Sequence, residues 1–179
     1  MKLDLHTHCY EASTFAEPTE ELVKDLVDRI RARGLDGIAI TDHDYFVARK
    51  GNHFACKVQE IVARDFPDIT IIPGQEIWHA HTEVVELYLT DTLMFRFLVH
   101  PGFPSYIKPD WVPENIQGVE IDNALHHRDL QFDRATELAD RYDLVRLRNS
   151  DAHRLSDIGE NFNEMDLEVL YSRAVRRPT

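Results

Sequence analysis

Apolar residues recur along the chain with two different periods, and these periods predict strands and helices in turn. Short runs rich in β-branched residues predict strands at 2–5, 37–41, 69–72, 84–89, 95–99, 118–121 and 144–147. Apolar residues at helical spacing predict one helix after Pro18, a second from near Asn52 to before Pro67, and a third over about 129–142. The tail from Met165 to Arg177 is expected to add one strand and one helix. This alternation favours an α/β fold with a parallel sheet.

Two places depart from a simple alternation of strand and helix. The third predicted strand meets Pro73-Gly74, where it is expected to stop immediately before Glu76. The fourth and fifth predicted strands are separated only by Thr90 to Met94, which is too short for a crossover helix. These two strands are expected either to pair antiparallel or to distort a barrel. A compressed segment of this kind is expected either to leave the mouth of the barrel more open or to create an edge used in self-association.

Six short clusters of His, Asp and Glu stand at the ends of the apolar runs: DLHTH, TDHD, PGQE, VHPG, GVEIDN and SDAH. Parallel βα barrels carry their chemistry at the carboxyl ends of their strands, where a rigid scaffold aims side chains into one mouth. Alternation along a strand sends His6 and His8 to the same side, and a carboxylate such as Glu76 suits a bridge between two cations. The pattern predicts a polynuclear metal site drawn from His6, His8, Asp42, His43, Glu76, His100, Glu120, Asp151 and His153.

Composition limits the classes of protein that fit. The 179 residues, 43% of them hydrophobic, predict a single domain over 1–179, although a βα barrel typically needs about 250. The net charge of −12 argues against long nucleic acid as a partner, because a phosphate backbone is bound mostly by Lys and Arg. Cys9 and Cys56 form no CxxC motif, which favours a reducing cytoplasm. No secretion signal and no apolar run long enough for a membrane span is recognised.

The order and form of the six clusters resemble the PHP (polymerase and histidinol phosphatase) superfamily. The resemblance extends from Leu3 to about Gly159, and six motifs in order make it specific. It implies a distorted seven-stranded βα barrel, similar to a TIM barrel, that holds two or three divalent metal ions and hydrolyses phosphate esters. Mixed His and carboxylate ligation does not select sharply among metals, so Zn, Mn and Fe all fit.

The resemblance also implies a ligand set for each ion. The first ion takes His6, His8, Glu76 and Asp151; the second shares Glu76 and takes His100 with either His126 or His127; the third takes His43 and His153. One departure concerns the third ion, because Ser13 and Thr14 stand where the family commonly has Asp or His. Glu11 is close enough in sequence to substitute, but it fits equally well as a solvated surface residue.

Other residues are assigned roles rather than ligation. Asp42 is expected either to orient a ligand or to cap a turn. Glu120 is expected either to belong to the metal environment or to make a structural hydrogen bond at the strand end. The catalytic candidates are Asp42, His43, Arg128 and Arg154, with Arg148 as a further cation for a phosphoryl oxygen. The function expected first is hydrolysis of a small phosphorylated substrate by metal-activated water. The alternatives are a nuclease acting on oligonucleotide ends and a noncatalytic metal-binding module.

Overall fold

The computed structural model describes residues 1–45, 53–103 and 112–177, which form a mixed α/β structure. Its strands are β1 (Lys2–Asp4), β2 (Gly37–Ile40), β3 (Thr70–His79), β4 (Thr82–Tyr88), β5 (Leu93–Leu98), β6 (Gly118–Asn123), β7 (Val145–Asn149), β8 (Asn163–Glu164) and β9 (Val175–Arg176). Its helices are α1 (Cys9–Ala12), α2 (Glu20–Ala32), α3 (His53–Asp65), α4 (Phe132–Tyr142) and α5 (Leu167–Arg173). None of these helices is long and apolar enough to cross a membrane.

The strands form a nearly closed, barrel-like sheet in the order β7-β6-β5-β4-β3-β2-β1-β8, with β9 paired to β5. The segment after β1 meets the segment after β7: Thr7 bridges Ala152 in parallel, and His8 N donates to Ala152 O at 2.9 Å. The barrel expectation is confirmed in this coarse form, but the strand number is not the seven expected. The difference arises because two short strands are added, β8 antiparallel to β1 and β9 antiparallel to β5. Asn163 in β8 donates through Nδ2 both to Leu3 O and to Arg148 O.

The antiparallel pairing expected in the compressed segment is present, because β4 pairs antiparallel with both β3 and β5. The expected stop at Pro73-Gly74 is wrong, since β3 runs through both residues. β3 pairs with β2 as far as Pro73 and with β4 from Gly74 onward, so the residue without an N–H falls where the strand changes partner. A side chain at Gly74 would stand 2.5 Å from Glu86 O, so only glycine allows this close approach. Glu76 therefore lies within a strand.

Helices α2 and α3 cover one side of the sheet, as their apolar periodicity predicts. Thr19 caps α2 by accepting a hydrogen bond from Leu22 N at 3.2 Å, and Val23 and Ile30 on its inner face are fully buried. Alternation along β2 turns Ile38 toward these helices and Ala39 into the barrel interior. The interior is filled by side chains that include Leu3, Leu5, Val85, Leu87, Phe95, Phe97 and Leu147. A filled interior leaves the mouth of the barrel as the place for chemistry.

Candidate metal centre

The clusters at the strand ends converge on one buried site. His6 and His8 follow β1, Glu76 lies in β3, His100 follows β5 and Asp151 follows β7. Each of these five residues is at most 3% exposed. Charged and imidazole side chains are rarely buried this completely unless they are paired or bind a metal.

Four of these side chains bring ligand atoms together around His8 Nε2. His8 Nε2 lies 3.1 Å from Asp151 Oδ1, 3.2 Å from His6 Nε2 and 3.3 Å from Glu76 Oε2. His6 Nε2 lies 3.4 Å from the same Glu76 oxygen and 3.5 Å from the same Asp151 oxygen. His6 Nε2, His8 Nε2 and Asp151 Oδ1 form a group of possible metal ligands, and their spacing allows an ion to lie about 2.0 Å from all three, which is the bond length of zinc to nitrogen or oxygen. We call His6, His8, Glu76 and Asp151 the first cluster.

The second carboxylate oxygens of Glu76 and Asp151 face a neighbouring group of histidines. Glu76 Oε1 lies 3.2 Å from His100 Nε2, and Asp151 Oδ2 lies 3.6 Å from His126 Nε2 and 3.9 Å from His100 Nε2. We call Glu76, His100, His126 and Asp151 the second cluster. Both carboxylates are therefore placed between the two clusters, whereas the sequence singled out only Glu76 for a bridging role.

The structure brings His126 into this site and leaves His127 outside it. Asn123 Oδ1 accepts the backbone N–H of His126 at 2.9 Å, and the Phe103 ring stacks on the His126 ring with centroids 3.8 Å apart. His127 is exposed, and its Nδ1 lies 3.0 Å from Asp122 Oδ1. Of the two alternatives, only His126 reaches the cluster.

A third cluster, formed by His8, Glu11, His43 and His153, adjoins the first. Each of these four residues offers one ligand atom, and the four atoms all lie within 4.8 Å of one another. His153 Nδ1 lies 3.0 Å from the backbone oxygen of Asp151, which leaves Nε2 facing Glu11 Oε2 at 3.9 Å. His43 Nδ1 lies 3.2 Å from Glu76 Oε2. Glu11 is thus the carboxylate that the structure places with His8, His43 and His153.

Glu120 orients several members of the centre at once. It is fully buried, and its Oε1 lies 3.0 Å from His6 Nδ1 and accepts from Asn149 Nδ2 at 2.8 Å. Its Oε2 accepts from His100 N at 2.7 Å and from Asn123 Nδ2 at 2.9 Å. A carboxylate on the far nitrogen of a ligating histidine fixes its tautomer and its orientation. The two roles left open for Glu120 therefore coincide in one side chain.

His100 and Asp151 adopt backbone conformations that few residues tolerate. Their φ angles are 29° and 57°, in the left-handed region, which costs on the order of 1–3 kcal/mol for residues other than glycine. The His100 N–H is held by Glu120, and the Asp151 N–H donates to His6 O at 3.0 Å. Strain of this kind persists only where the surroundings enforce it, and here it aims two side chains into the centre.

Asp42 positions the chain beside the centre and does not face it. Its carboxylate oxygens accept the backbone N–H groups of Tyr10 at 3.0 Å and Glu11 at 3.1 Å, which caps the first turn of α1. Burial raises the pKa of Asp42, while the nearby His8 and these two hydrogen bonds oppose the rise. Of the two roles expected for Asp42, these contacts match the cap of a turn. The cap holds Glu11 in the third cluster.

The arginines selected from the sequence do not reach the clusters. Arg128 and Arg154 are exposed and form no ion pair within the described chain, and Arg148 donates to Asp122 Oδ2 at 3.2 Å. Sequence neighbours of a site residue at the end of a strand face outward as often as inward. The structure therefore gives these three side chains no contact with the proposed ligands.

Asp4 and Asn123 were not selected as site residues, yet both support the centre. Asp4 is fully buried and accepts hydrogen bonds from Ser150 N at 3.1 Å and Gly159 N at 2.9 Å, which fixes the turn before Asp151. Burial raises the pKa of Asp4 to about 6 against the opposing effect of these bonds. Asn123 Nδ2 donates to Asp151 Oδ2 at 3.2 Å. The signal for Asp4 was its position two residues before His6, on the same side of the strand.

The electrostatics of the centre favour a bound cation. Burial lowers the pKa of His6, but Asp151, Glu120 and Glu76 outweigh that effect and raise it well above the usual value. The pKa of His8 is likewise raised to about 9, because Asp151 and Glu76 outweigh its burial. Asp151 Oδ1 is buried and has no hydrogen-bond donor in suitable geometry among the described residues. A buried anionic oxygen without a donor, among imidazole nitrogens at 3.1 to 3.5 Å, fits a divalent ion.

Comparisons with known proteins identify the fold. No family model matches the chain, and no curated protein matches it either. A solved structure from Bifidobacterium adolescentis, provisionally named a metal-dependent phosphoesterase, has a TM-score of 0.66 at 15% identity and covers 97% of this chain and 96% of that chain. PsfC from Pseudomonas syringae has a TM-score of 0.61 at 17% identity over 88% of this chain and 78% of that chain.

A third similar structure is an amidohydrolase from Chromobacterium violaceum, solved with bound sulfate and without metal. Its TM-score is 0.60 at 15% identity, with 97% of each chain covered. At these identities the similarity establishes the fold alone. The chemistry has to be argued from the side chains of this chain.

Proposed function

We propose that this chain is a metal-dependent phosphoesterase of the PHP type, which hydrolyses a small phosphorylated substrate at a di- or trinuclear site. The observation that carries the proposal is the position of Glu76 and Asp151 between two clusters of imidazoles, one oxygen of each carboxylate facing either cluster. Carboxylates placed in this way would each contribute ligands to two ions. Paired ions in hydrolases lower the pKa of a bound water and stabilise charge on phosphoryl oxygens.

The residues of the chain have distinct parts in this proposal. His6, His8, His100 and His126 would hold the two ions with Glu76 and Asp151, and Glu120 would keep His6 in its ligating tautomer. The side chains of His43 and His153 are 22% and 30% exposed, so the third cluster lies on the open side, where a substrate would arrive.

The charge of the site supports an anionic substrate only when ions are bound. The described residues place no Arg or Lys side chain against the clusters, so the carboxylates alone would repel a phosphate. Bound divalent ions reverse this local sign.

The test combines metal analysis with a screen for released phosphate in Glu76→Gln and His127→Ala. Gln keeps the size of Glu76 but loses the charge that lets a carboxylate bridge two cations. Metal content should therefore fall, and turnover should drop by orders of magnitude. His127→Ala is the matched control, because His127 lies beside His126 in sequence but contacts Asp122.

Several results would contradict the proposal. A wild-type chain without metal after metal-replete expression would remove its basis, and a Glu76→Gln variant with full metal and turnover would exclude the bridging role. Metal without hydrolysis of any phosphate ester would favour the noncatalytic module. Activity confined to oligonucleotide ends would favour the nuclease.

A further inference from the structure

His100 turns one ring nitrogen toward the second cluster and leaves the other without a partner among the described residues. Nε2 lies 3.2 Å from Glu76 Oε1, on the side of the proposed second ion. Nδ1 is buried, in a residue that is 3% exposed, and has no hydrogen-bond partner within that part of the chain. A histidine that ligates through Nε2 carries its proton on Nδ1. This buried N–H therefore requires an acceptor, since a lost partner costs about 1–3 kcal/mol.

Glu83 presents a carboxylate to that nitrogen. Its Oε2 lies 4.0 Å from His100 Nδ1. The backbone oxygen of Glu83 accepts from Val99 N at 3.4 Å, which places Glu83 across from the residue that precedes His100. Glu76 pairs with Val85, two residues beyond Glu83, so the side chains of Glu83 and Glu76 lie on the same side of the sheet.

Two other rings of the centre are held in the same manner. His6 Nδ1 lies 3.0 Å from Glu120 Oε1, and His153 Nδ1 lies 3.0 Å from the backbone oxygen of Asp151. In each case the nitrogen away from the proposed ion faces an oxygen. His100 differs from these two rings only in distance. The 4.0 Å between His100 Nδ1 and Glu83 Oε2 exceeds the length of a hydrogen bond by about 1 Å. The Glu83 side chain is 25% exposed, so it is not fully enclosed by its neighbours.

We infer that Glu83 is a positioning residue for the second ion. Its carboxylate accepts the Nδ1–H of His100 and so fixes the ring with Nε2 toward Glu76. It acts from the Nδ1 side of the ring. Glu76, Glu83 and His100 also form a group of possible metal ligands, and recovery of affinity in Glu83→Gln separates the positioning role from direct ligation by a charged carboxylate. The inference rests on the proposed function insofar as that proposal supplies the second ion. It predicts that the affinity for this ion depends on an acceptor at position 83 and not on its charge.

The experiment is a calorimetric metal titration, with Zn²⁺ as the probe, of the full chain and three variants. Glu83→Ala removes the acceptor, so the second ion should bind about 10- to 100-fold more weakly while the first is unchanged. Glu83→Gln keeps an oxygen that can accept the same N–H, so most of the affinity should return. Asp91→Ala is the matched control, because it removes one carboxylate at the other end of the same hairpin.

The outcomes separate the inference from the proposed function. A wild-type chain that binds two ions, with Glu83→Ala binding the second as tightly, overturns the inference and leaves the proposed function standing. A Glu83→Gln loss as large as that of Glu83→Ala also overturns it, because charge rather than an acceptor would then matter. A wild-type chain that binds no ion overturns the proposed function, and the inference falls with it.

Discussion

Replacing Glu120 by Gln tests whether one buried carboxylate holds the metal centre together. Its oxygens face four donors: the His6 ring, the Asn149 and Asn123 amides, and the His100 backbone N–H. Gln provides one oxygen and one NH2 group, so two of these four donors lose their acceptor and meet another donor. Each hydrogen bond to a charged group contributes about 1.5–3 kcal/mol, so the loss is about 3–6 kcal/mol. The neutral Gln also avoids the cost of burying the Glu120 charge, so the lower end of that range is expected.

The assay is urea unfolding of wild type and Glu120→Gln, each in chelator and in saturating metal. A loss of about 3 kcal/mol is a large part of the 5–15 kcal/mol that stabilises a typical domain. In metal the gap should widen, because His6 loses the acceptor that orients it and the ion binds about 10- to 100-fold more weakly.

The matched control is Asp122→Asn on the same strand. A β-bulge between Glu120 and Asp122 turns the Asp122 side chain outward, where it pairs with His127 and with Arg148. Exposed pairs of this kind contribute about 0–1 kcal/mol. If Glu120→Gln unfolds at the same urea concentration as Asp122→Asn, with the same metal affinity, the orienting role of Glu120 is wrong.

Two further predictions concern the ions. The metal-free pKa of His8 is about 9, because Asp151 and Glu76 outweigh its burial, and a histidine ligates only when neutral. Metal binding should therefore release protons even near pH 8, and affinity should still rise with pH as it approaches about 9. Calorimetry in two buffers of different ionisation enthalpy measures this proton release. If no protons were released near pH 8, the pKa of His8 would be close to the ordinary value of about 6.5. Stepwise titration should show two tight ions and a looser third, and Glu11→Gln should weaken only the third; three equally tight ions in that variant would refute the role of Glu11.

Local structure was predictable where a residue's environment depends on its neighbours in sequence. The spacing of Leu26, Val27 and Ile30 predicts α2, and the structure buries these three residues on its inner face. The HxH alternation places His6 and His8 side by side for the same local reason. Strand ends rich in His and Asp were correctly expected to meet at one mouth, since a barrel gathers the ends of its strands.

Several features depended on partners far away in the chain. The passage of β3 through Pro73 could not be predicted, because it requires β4 to take over hydrogen bonding from β2 at that point. The difference between His126 and His127 is likewise tertiary, since the His126 ring stacks on Phe103 and faces Asp151, both distant in sequence. Adjacent residues of one type carry no signal that separates them.

The sequence by itself determined which chemical groups the centre contains, because their types and their strand-end positions are written in the order of residues. Only the tertiary structure decided how those groups are oriented. Glu120 accepts from His100, 20 residues away, Asp4 accepts from Ser150, 146 residues away, and Glu83 faces His100 across a strand pair. Hydrogen bonds and buried charges depend on distance in space at the scale of an ångström, and the linear sequence does not contain that distance.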